Sequence, residues 1–323
     1  MVAHMNSAAT MWAASGRVAY LDQLERIAYN ALPAAFFNGT MWSLNYFQQV
    51  NKLDAIDGEP KCESGCTYCF GMVYECCVSN HAQGWPKFLA KQWQVSASGR
   101  LALTQYFASR SAKPLTLPSG STLHGLTVST DYPFGEVVTI EVSNATAAYE
   151  LEVRVPGWCK GATLVVDGTT HSDLQPGTMH AVRLPSGDAH LLLTLPMRIR
   201  VERRPPYVPA LGQTVPSNAA TILHGPLVYA LPRVEVHDHA TPFDDPPGAL
   251  PLGQSHGQNN YLLGTGEWRN ALLLHADAHP EADLRFERSA LPSLPEGQGP
   301  FASSLVPARI TAKAVTLTVR VAC

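Results

Sequence analysis

Five of the seven cysteines lie within one short stretch of the chain, and their spacing fits two kinds of metal chemistry. Cys62, Cys66 and Cys69 follow the CX3CX2C spacing of a triad that holds an iron–sulfur cluster in radical enzymes. Cys76 and Cys77 are adjacent, which suits a thiolate zinc site with a nucleophilic cysteine, because a bound zinc ion removes the thiol proton. Crowded cysteines favour metal binding over a secreted disulfide framework, whose cysteines would be spread more evenly.

Length and composition exclude several classes of protein. A chain of 323 residues exceeds one ordinary domain, so two or three domains are expected. Charged residues make up 15% of the chain and the net charge is −3. The chain therefore lacks the excess of positive charge that is typical of proteins that bind nucleic acid or an anionic membrane. No apolar run reaches the roughly 18–20 residues of a membrane-spanning helix. Residues 1–10 lack the basic start and apolar centre of a signal peptide, so the compartment stays open.

Helical periodicity marks the first hundred residues. Apolar side chains recur at helical spacing from Tyr20 to Ala31, and Pro33 is expected to end this helix. Asp22 and Arg26 lie off the apolar stripe, which predicts that both face solvent. A second helix is predicted to begin near Pro86, because proline suits a first helical turn. It is expected to carry three large apolar residues, Phe88, Leu89 and Trp93.

From about Leu101 the apolar period changes to two, which indicates strands with one buried and one solvated face. The alternating positions are Val138, Ile140 and Val142, then Leu151, Val153 and Val155, and finally Val315, Leu317, Val319 and Val321. Turn signals such as Asp167-Gly168 separate the strands. Short strands without helical segments between them predict antiparallel β-sandwiches.

Several segments also follow one another in a family-specific order. They are YLDQLERIAYNALP at 20–33, MW at 41–42, Tyr46, QQVN at 48–51, CCVSN at 76–80, QGWPKF at 83–88, RVPGW at 154–158, LPM at 195–197 and HGPLVYA at 224–230. In these segments the chain resembles the zinc-dependent β-L-arabinofuranosidases of glycoside hydrolase family 127, and the resemblance covers most of its length.

The resemblance implies an (α/α)6 barrel followed by antiparallel β-sandwich domains. Residues 1–100 would be the last part of the barrel domain, residues 101–205 a β-sandwich, and residues 206–323 a second β-sandwich or C-terminal β region. The implied activity is retaining hydrolysis that releases terminal L-arabinofuranose, with arabinofuranoside-containing glycans as partners.

The resemblance also implies roles for individual residues. Cys76 matches the nucleophile and contacts the zinc ion, and Cys77 matches a zinc ligand. Tyr46 matches a position near the sugar, although a purely structural tyrosine is an equally good interpretation. A carboxylic acid would have to protonate the leaving oxygen and then activate water.

The chain departs from the family pattern where further catalytic groups are needed. The family's Glu-x-Cys segment, which supplies two zinc ligands, falls on Ala3-His4-Met5, and neither the carboxylate nor the thiol is present. The family's acid/base glutamate falls before Met1. We therefore expect an incomplete or inactive C-terminal part of a longer protein. Cys62, Cys66 and Cys69 lie outside the family pattern and are either loop cysteines or ligands of a rebuilt zinc site.

Two alternatives belong to other functional classes. A radical enzyme with a 4Fe–4S cluster at the CX3CX2C triad predicts alternating strands and helices after the triad, whereas the sequence shows strands of antiparallel type. A non-catalytic module for carbohydrate binding or oligomerisation would keep the sandwiches and lose the chemistry. It would allow a homodimer through a β-sandwich.

Overall fold

The structure of the chain is a computed structural model. It describes residues 1–35, 45–47, 55–56, 69–70, 75–96, 98–203, 220–230, 236–238, 261–264, 270–272, 274, 279–290 and 307–316. For residues 45–47, 55–56, 69–70, 75–78, 236–238, 261–264, 270–271 and 315–316 the description is limited to the backbone. No helix in these ranges is long and apolar enough to cross a membrane.

The chain divides into two compact units whose segments alternate along the sequence. The first unit comprises Met1–Leu32, His81–Arg198 and Leu223–Leu227, and the second comprises Pro33–Asn80, Ile199–Ile222 and Val228–Cys323. The domain boundaries expected from the sequence, near residues 100 and 205, remain a prediction.

Four α-helices are described: α1 (Val2–Ser15), α2 (Ala19–Arg26), α3 (Glu75–Ala82) and α4 (Gly84–Leu89). The predicted helix after Tyr20 is confirmed, because α2 continues as a π-helical turn over Ile27–Ala31 and Pro33 begins a separate 3-10 turn. The prediction that Trp93 lies on the second helix is wrong. That helix ends at Leu89, and Trp93 instead pairs with Leu103 in a strand ladder, whose hydrogen bonds replace those of a helix.

The described strands are β1 (Asn45–Phe47), β2 (Ala55–Ile56), β3 (Cys69–Phe70), β4 (Trp93–Val95), β5 (Leu101–Leu103), β6 (Ser109–Arg110), β7 (Leu115–Thr116), β8 (Thr122–Leu123), β9 (Gly125–Thr130), β10 (Val137–Ala145), β11 (Tyr149–Val155), β12 (Ala162–Val166), β13 (Thr169–Leu174), β14 (Thr178–Leu184), β15 (Gly187–Thr194), β16 (Ile199–Arg203), β17 (Ala220–His224), β18 (Leu227–Tyr229), β19 (Val236–Asp238), β20 (Tyr261–Gly264), β21 (Asn270–Leu272), β22 (Leu284–Arg288), β23 (Ala308–Ala312) and β24 (Ala314–Thr316).

Two sheets form the β-sandwich of the first unit. One has the strand order β13-β12-β15-β10-β9-β6 and the other the order β14-β11-β5-β4. Strand β5 joins β11 in parallel, and every other pair with a described register is antiparallel. The predicted turn at Asp167-Gly168 is confirmed, because both residues have positive φ and connect β12 to β13 in a two-residue hairpin.

The core between the two sheets uses the alternating residues that the sequence marks. In β10 the side chains of Val138, Ile140 and Val142 are buried, so the predicted alternation is confirmed, and Ala145 at the end of the strand is buried as well. In β11 the prediction of a solvated second face is wrong, because Glu152 and Arg154 are buried as well as the apolar residues. These two side chains have charged partners: Arg100 pairs with Glu152, and Arg154 pairs with carboxylates of α2.

The second unit contains short antiparallel ladders. Strand β1 pairs with β3, β20 pairs with both β19 and β2, β21 pairs with β24, and β22 pairs with β23. Val315 lies on β24 as the alternation predicts, whereas residues 317–321 lie outside the described residues. The described fold is therefore mostly antiparallel β-sheet with few helices. The (α/α)6 barrel remains a prediction.

Candidate functional site

The adjacent cysteines lie on one described helix. Cys76 and Cys77 follow Glu75, the first residue of α3, so the backbone that carries them is helical. Their side chains lie outside the described part of the structure. Their predicted roles, nucleophile and zinc ligand for Cys76 and zinc ligand for Cys77, therefore stay predictions. Among the residues that the structure describes, no group of three or more His, Cys, Asp or Glu side chains is arranged to hold a metal ion.

The cysteines of the CX3CX2C triad and the predicted sugar-site tyrosine fall in the second unit. Cys62 and Cys66 lie outside the described residues. Tyr46 lies at the centre of β1, and the neighbouring strand β3 begins at Cys69. The backbone register pairs Phe47 with Cys69, so the structure brings the strand of Tyr46 next to the last cysteine of the triad. The sequence did not predict this proximity, because it arises from pairing between distant segments.

The end of α3 packs closely against the end of the first helical segment. Buried His81 lies in the last turn of α3, and its Nε2 atom is 3.0 Å from the carbonyl oxygen of Leu32. Gly84 approaches the same leucine, because a Cβ atom at position 84 would lie 2.6 Å from Leu32 Cδ1. Glycine at this position permits an approach that a larger side chain would block. His4, which lies where the family pattern places its Glu-x-Cys segment, is exposed on α1.

The best-defined polar cluster of the described chain is built around Arg154. Its guanidinium is fully buried and donates through Nη1 to Asp22 Oδ1 at 2.6 Å and through Nη2 to Glu25 Oε1. Asp22 Oδ2 also accepts from the backbone N–H of Gly157 at 2.9 Å, and Glu25 Oε2 accepts from Trp158 Nε1 at 3.3 Å. We call Asp22, Glu25 and Arg154 the Arg154 cluster. It attaches α2 to strand β11 and to the loop that follows this strand.

Tyrosines surround the Arg154 cluster. Tyr132 donates its hydroxyl hydrogen to Glu25 Oε1 at 2.5 Å, and Tyr106 donates to the carbonyl oxygen of Arg154. Tyr29, on the π-helical turn, donates to the carbonyl oxygen of Tyr106 at 2.5 Å. The Arg154 guanidinium carbon lies 5.3 Å from the centre of the Tyr106 ring, within cation–π range. The cation and both carboxylates therefore have partners on several sides.

The electrostatics of the cluster suit a structural role. Burial raises the pKa of Asp22, and this effect exceeds the opposing effect of the nearby Arg154 charge. Burial alone would lower the pKa of Arg154, but attraction to Glu25 and Asp22 outweighs it, so this pKa is raised. Burial also raises the pKa of the Tyr106 and Tyr132 phenols, which stay protonated at neutral pH. Because Arg154 pairs with both Asp22 and Glu25, the cluster offers no free carboxylate base.

The sequence prediction that Asp22 faces solvent is wrong, because its side chain is only 24% exposed and pairs with Arg154. Glu25 was not singled out, although it is 1% exposed. The sequence did contain one indication of this pair, because Glu25 and Arg154 both lie in motifs of the family resemblance, residues 20–33 and 154–158. Nothing local in either segment shows that the two segments meet.

The fold of this chain is similar to that of a solved glycoside hydrolase structure. A structure described as a glycoside hydrolase superposes on 72% of this chain with a TM-score of 0.54 and 21% sequence identity. The match covers 37% of that chain, so the present chain spans little more than a third of its length. At this identity the similarity establishes the fold alone. No curated protein matches the sequence.

More particular matches point to one family. Residues 101–197 match the model of the β-L-arabinofuranosidase GH127 middle domain. A GH127 β-L-arabinofuranosidase from Geobacillus stearothermophilus T6 has a similar fold, with a TM-score of 0.50, 20% identity, and coverage of 70% of this chain and 35% of that chain. A further GH127 β-arabinofuranosidase gives a TM-score of 0.51 and 18% identity over the same shares. The family resemblance drawn from the sequence motifs is confirmed in these matches.

Proposed function

We propose that this chain is part of a retaining glycoside hydrolase of the GH127 type that releases terminal L-arabinofuranose from β-L-arabinofuranosides. The observation that carries the proposal is the match of residues 101–197 to the GH127 middle domain. The similar fold of two structures described as GH127 arabinofuranosidases supports it. The motifs that precede the matched segment, at 20–33, 76–80 and 83–88, extend the resemblance into the helical region.

The proposed nucleophile is Cys76, near the start of α3. Its thiolate would form a carbon–sulfur bond at the anomeric carbon while the glycosidic oxygen leaves and takes a proton from a carboxylic acid. Water, deprotonated by the same carboxylate, would then break the carbon–sulfur bond and regenerate the thiolate with net retention. Asp22 and Glu25 are not assigned as this acid, because both are engaged by Arg154.

Zinc is the cofactor that the resemblance implies, and the donor set can be tested against it. Two neighbouring thiolates, Cys76 and Cys77, are soft donors that suit zinc, but a four-coordinate site needs two more ligands. The described residues supply no group of three donors. We therefore propose Cys76 and Cys77 as two ligands of an otherwise unassigned zinc site. Bound zinc would keep these thiols deprotonated near neutral pH.

A second candidate function is a non-catalytic carbohydrate-binding or oligomerisation module. It is favoured by the restriction of the family match to the middle domain, residues 101–197. The sandwich also has a continuous apolar core of its own, which does not depend on the cysteines. A chain of this kind would bind arabinofuranoside-containing glycans or self-associate without cleaving them.

The test combines metal content with hydrolysis of a chromogenic β-L-arabinofuranoside. The tag-free chain, its Cys76→Ser variant and a Cys159→Ala control are compared, since Cys159 is a buried cysteine of the sandwich core. The proposal expects about one zinc ion per chain. It also expects hydrolysis that Cys76→Ser abolishes and the control retains, with unchanged circular dichroism. Undiminished hydrolysis in Cys76→Ser would refute the mechanism. Glycan binding without hydrolysis or zinc would support the non-catalytic module.

A further inference from the structure

Two histidines meet at one edge of the β-sandwich. His171 lies on β13, the edge strand of the six-stranded sheet, and His180 lies on β14, the edge strand of the four-stranded sheet. The two residues therefore come from different sheets. Both histidines belong to the first unit. They take no part in the proposed hydrolysis or in the proposed zinc site at Cys76 and Cys77.

The strand registers place both imidazoles on the inner faces of the sheets. His171 is directly opposite Leu164, and His180 is directly opposite Val153. Residues that are directly opposite on paired strands project from the same face. Leu164 and Val153 are both fully buried in the core between the sheets, so the two rings border that core at its open edge.

The geometry of the pair suits a shared ligand. The ring centres are 5.5 Å apart and the ring planes make an angle of 69°. Two imidazoles bound to one tetrahedral ion have ring centres roughly 5 Å apart, given metal–nitrogen distances of about 2 Å. The Nε2 atom of His180 is buried and has no hydrogen-bond partner within the described part of the chain. A buried polar atom without a partner is uncommon, and a bound ion is one arrangement that would satisfy it.

We propose that His171 and His180 form a binding site for one divalent late transition-metal ion, of the class of Ni²⁺, Cu²⁺ and Zn²⁺. Imidazole nitrogen is a preferred ligand for this class, and water molecules would complete the coordination. The bound ion would connect the edge strands of the two sheets. This site is separate from the proposed zinc site at Cys76 and Cys77.

The environment of His180 is compatible with metal binding. Burial and the neighbouring His171 lower the pKa of His180, which favours the neutral imidazole near neutral pH. Neutral imidazole is the form that binds metals. The sandwich provides rigid strands for both ligands, which reduces the entropy lost on binding.

The test uses Ni²⁺ and the full-length chain with Cys76→Ser and Cys77→Ser, so that these thiols do not contribute. Calorimetric titration is compared among this protein and its His171→Gln, His180→Gln and His190→Gln derivatives. His190 is an exposed histidine on β15, the strand that follows β14 in sequence, and serves as the matched control. We expect one Ni²⁺ site that either substitution in the pair weakens at least about tenfold and that His190→Gln leaves unchanged.

A second measurement does not depend on how well the variants fold. Paramagnetic Ni²⁺ added to the protein without histidine substitutions should broaden the imidazole NMR signals of His171 and His180 before those of His190. Equal broadening of all three, or a titration that either substitution in the pair leaves unchanged, would overturn the proposal. In that case the pair only closes the edge of the core.

Discussion

The Arg154 cluster yields the sharpest prediction. Replacing Arg154 by Met keeps an aliphatic side chain in the buried position and removes the charge that both Asp22 and Glu25 face. Breaking a buried ion pair by removing one partner costs about 3–5 kcal/mol, because the remaining charge stays in a poorly solvating environment. Glu25 is almost fully buried, so the variant should reach this range.

Urea unfolding followed by circular dichroism measures the effect. With a denaturant slope of about 1–3 kcal/mol per molar urea, the midpoint of Arg154→Met should fall by at least about 1 M. The matched control is Arg100→Met, which removes an arginine that also pairs with two carboxylates, Glu150 at 2.5 Å and Glu152 at 3.1 Å. The side chains of Arg100 and Glu150 are 37% and 42% exposed, so water replaces their contact, and the midpoint should fall less than in Arg154→Met even though Glu152 is buried. Equal shifts in the two variants would refute the reasoning.

The pH dependence of this loss adds a second criterion. A carboxyl group whose pKa is raised in the folded state binds more protons there than in the unfolded chain, so its contribution to stability improves as pH falls. Burial already raises the pKa of Asp22 above 3.8, and without Arg154 the opposing charge effect is lost. The deficit of Arg154→Met should therefore shrink as pH falls from neutrality towards 4. Adding Asp22→Asn and Glu25→Gln to the variant should restore part of the lost stability at pH 7.

Three further predictions concern single contacts. Because the pKa of His180 is lowered in the folded state, the unfolded chain binds more protons below about pH 6.5, and the free energy of unfolding should fall with acidification there. His180→Gln, measured with chelator present, should weaken this pH dependence. An identical pH profile in the variant would contradict the prediction. Gly225→Ala should cost about 1–3 kcal/mol in chemical unfolding, because its φ is +54° and a Cβ atom would lie 2.5 Å from Met197 Sδ; unchanged stability would show that Met197 moves away freely. Tyr132→Phe removes the 2.5 Å hydrogen bond to Glu25 and should lower the free energy of unfolding by about 1.5–3 kcal/mol. A thermal midpoint equal to that of the parent protein would contradict this prediction.

Local patterns were sufficient where neighbours along the chain decide the structure. The period-two positions of β10, the turn at Asp167-Gly168 and the end of the helical segment before Pro33 were all predicted correctly. Each depends on side chains or backbone preferences within a few residues. The helix after Pro86 was predicted too long, because pairing of Trp93 with Leu103 depends on a strand that follows it.

Contacts between segments that are distant in the chain could not be predicted from a single sequence. The burial of Asp22 and Glu25 depends on Arg154, more than a hundred residues later, and their helical stripe gives no sign of it. The pairing of His171 with His180 likewise requires the order of strands in two sheets. For the proposed catalytic site, the sequence supplied the candidate residues Cys76, Cys77 and Tyr46 through family resemblance, and their side-chain arrangement remains a prediction.

The Arg154 cluster also constrains the order in which the chain can fold. Asp22 and Arg154 are separated by 132 positions, so α2 leaves the ribosome long before its cationic partner is made. Until strand β11 is synthesised, α2 has two carboxylates that must remain hydrated. Contacts between residues so far apart in sequence also form late in folding, because the entropy lost on closing the long loop must be offset by interactions that have already formed. The N-terminal helical segment should therefore dock only onto a sandwich that has already begun to form.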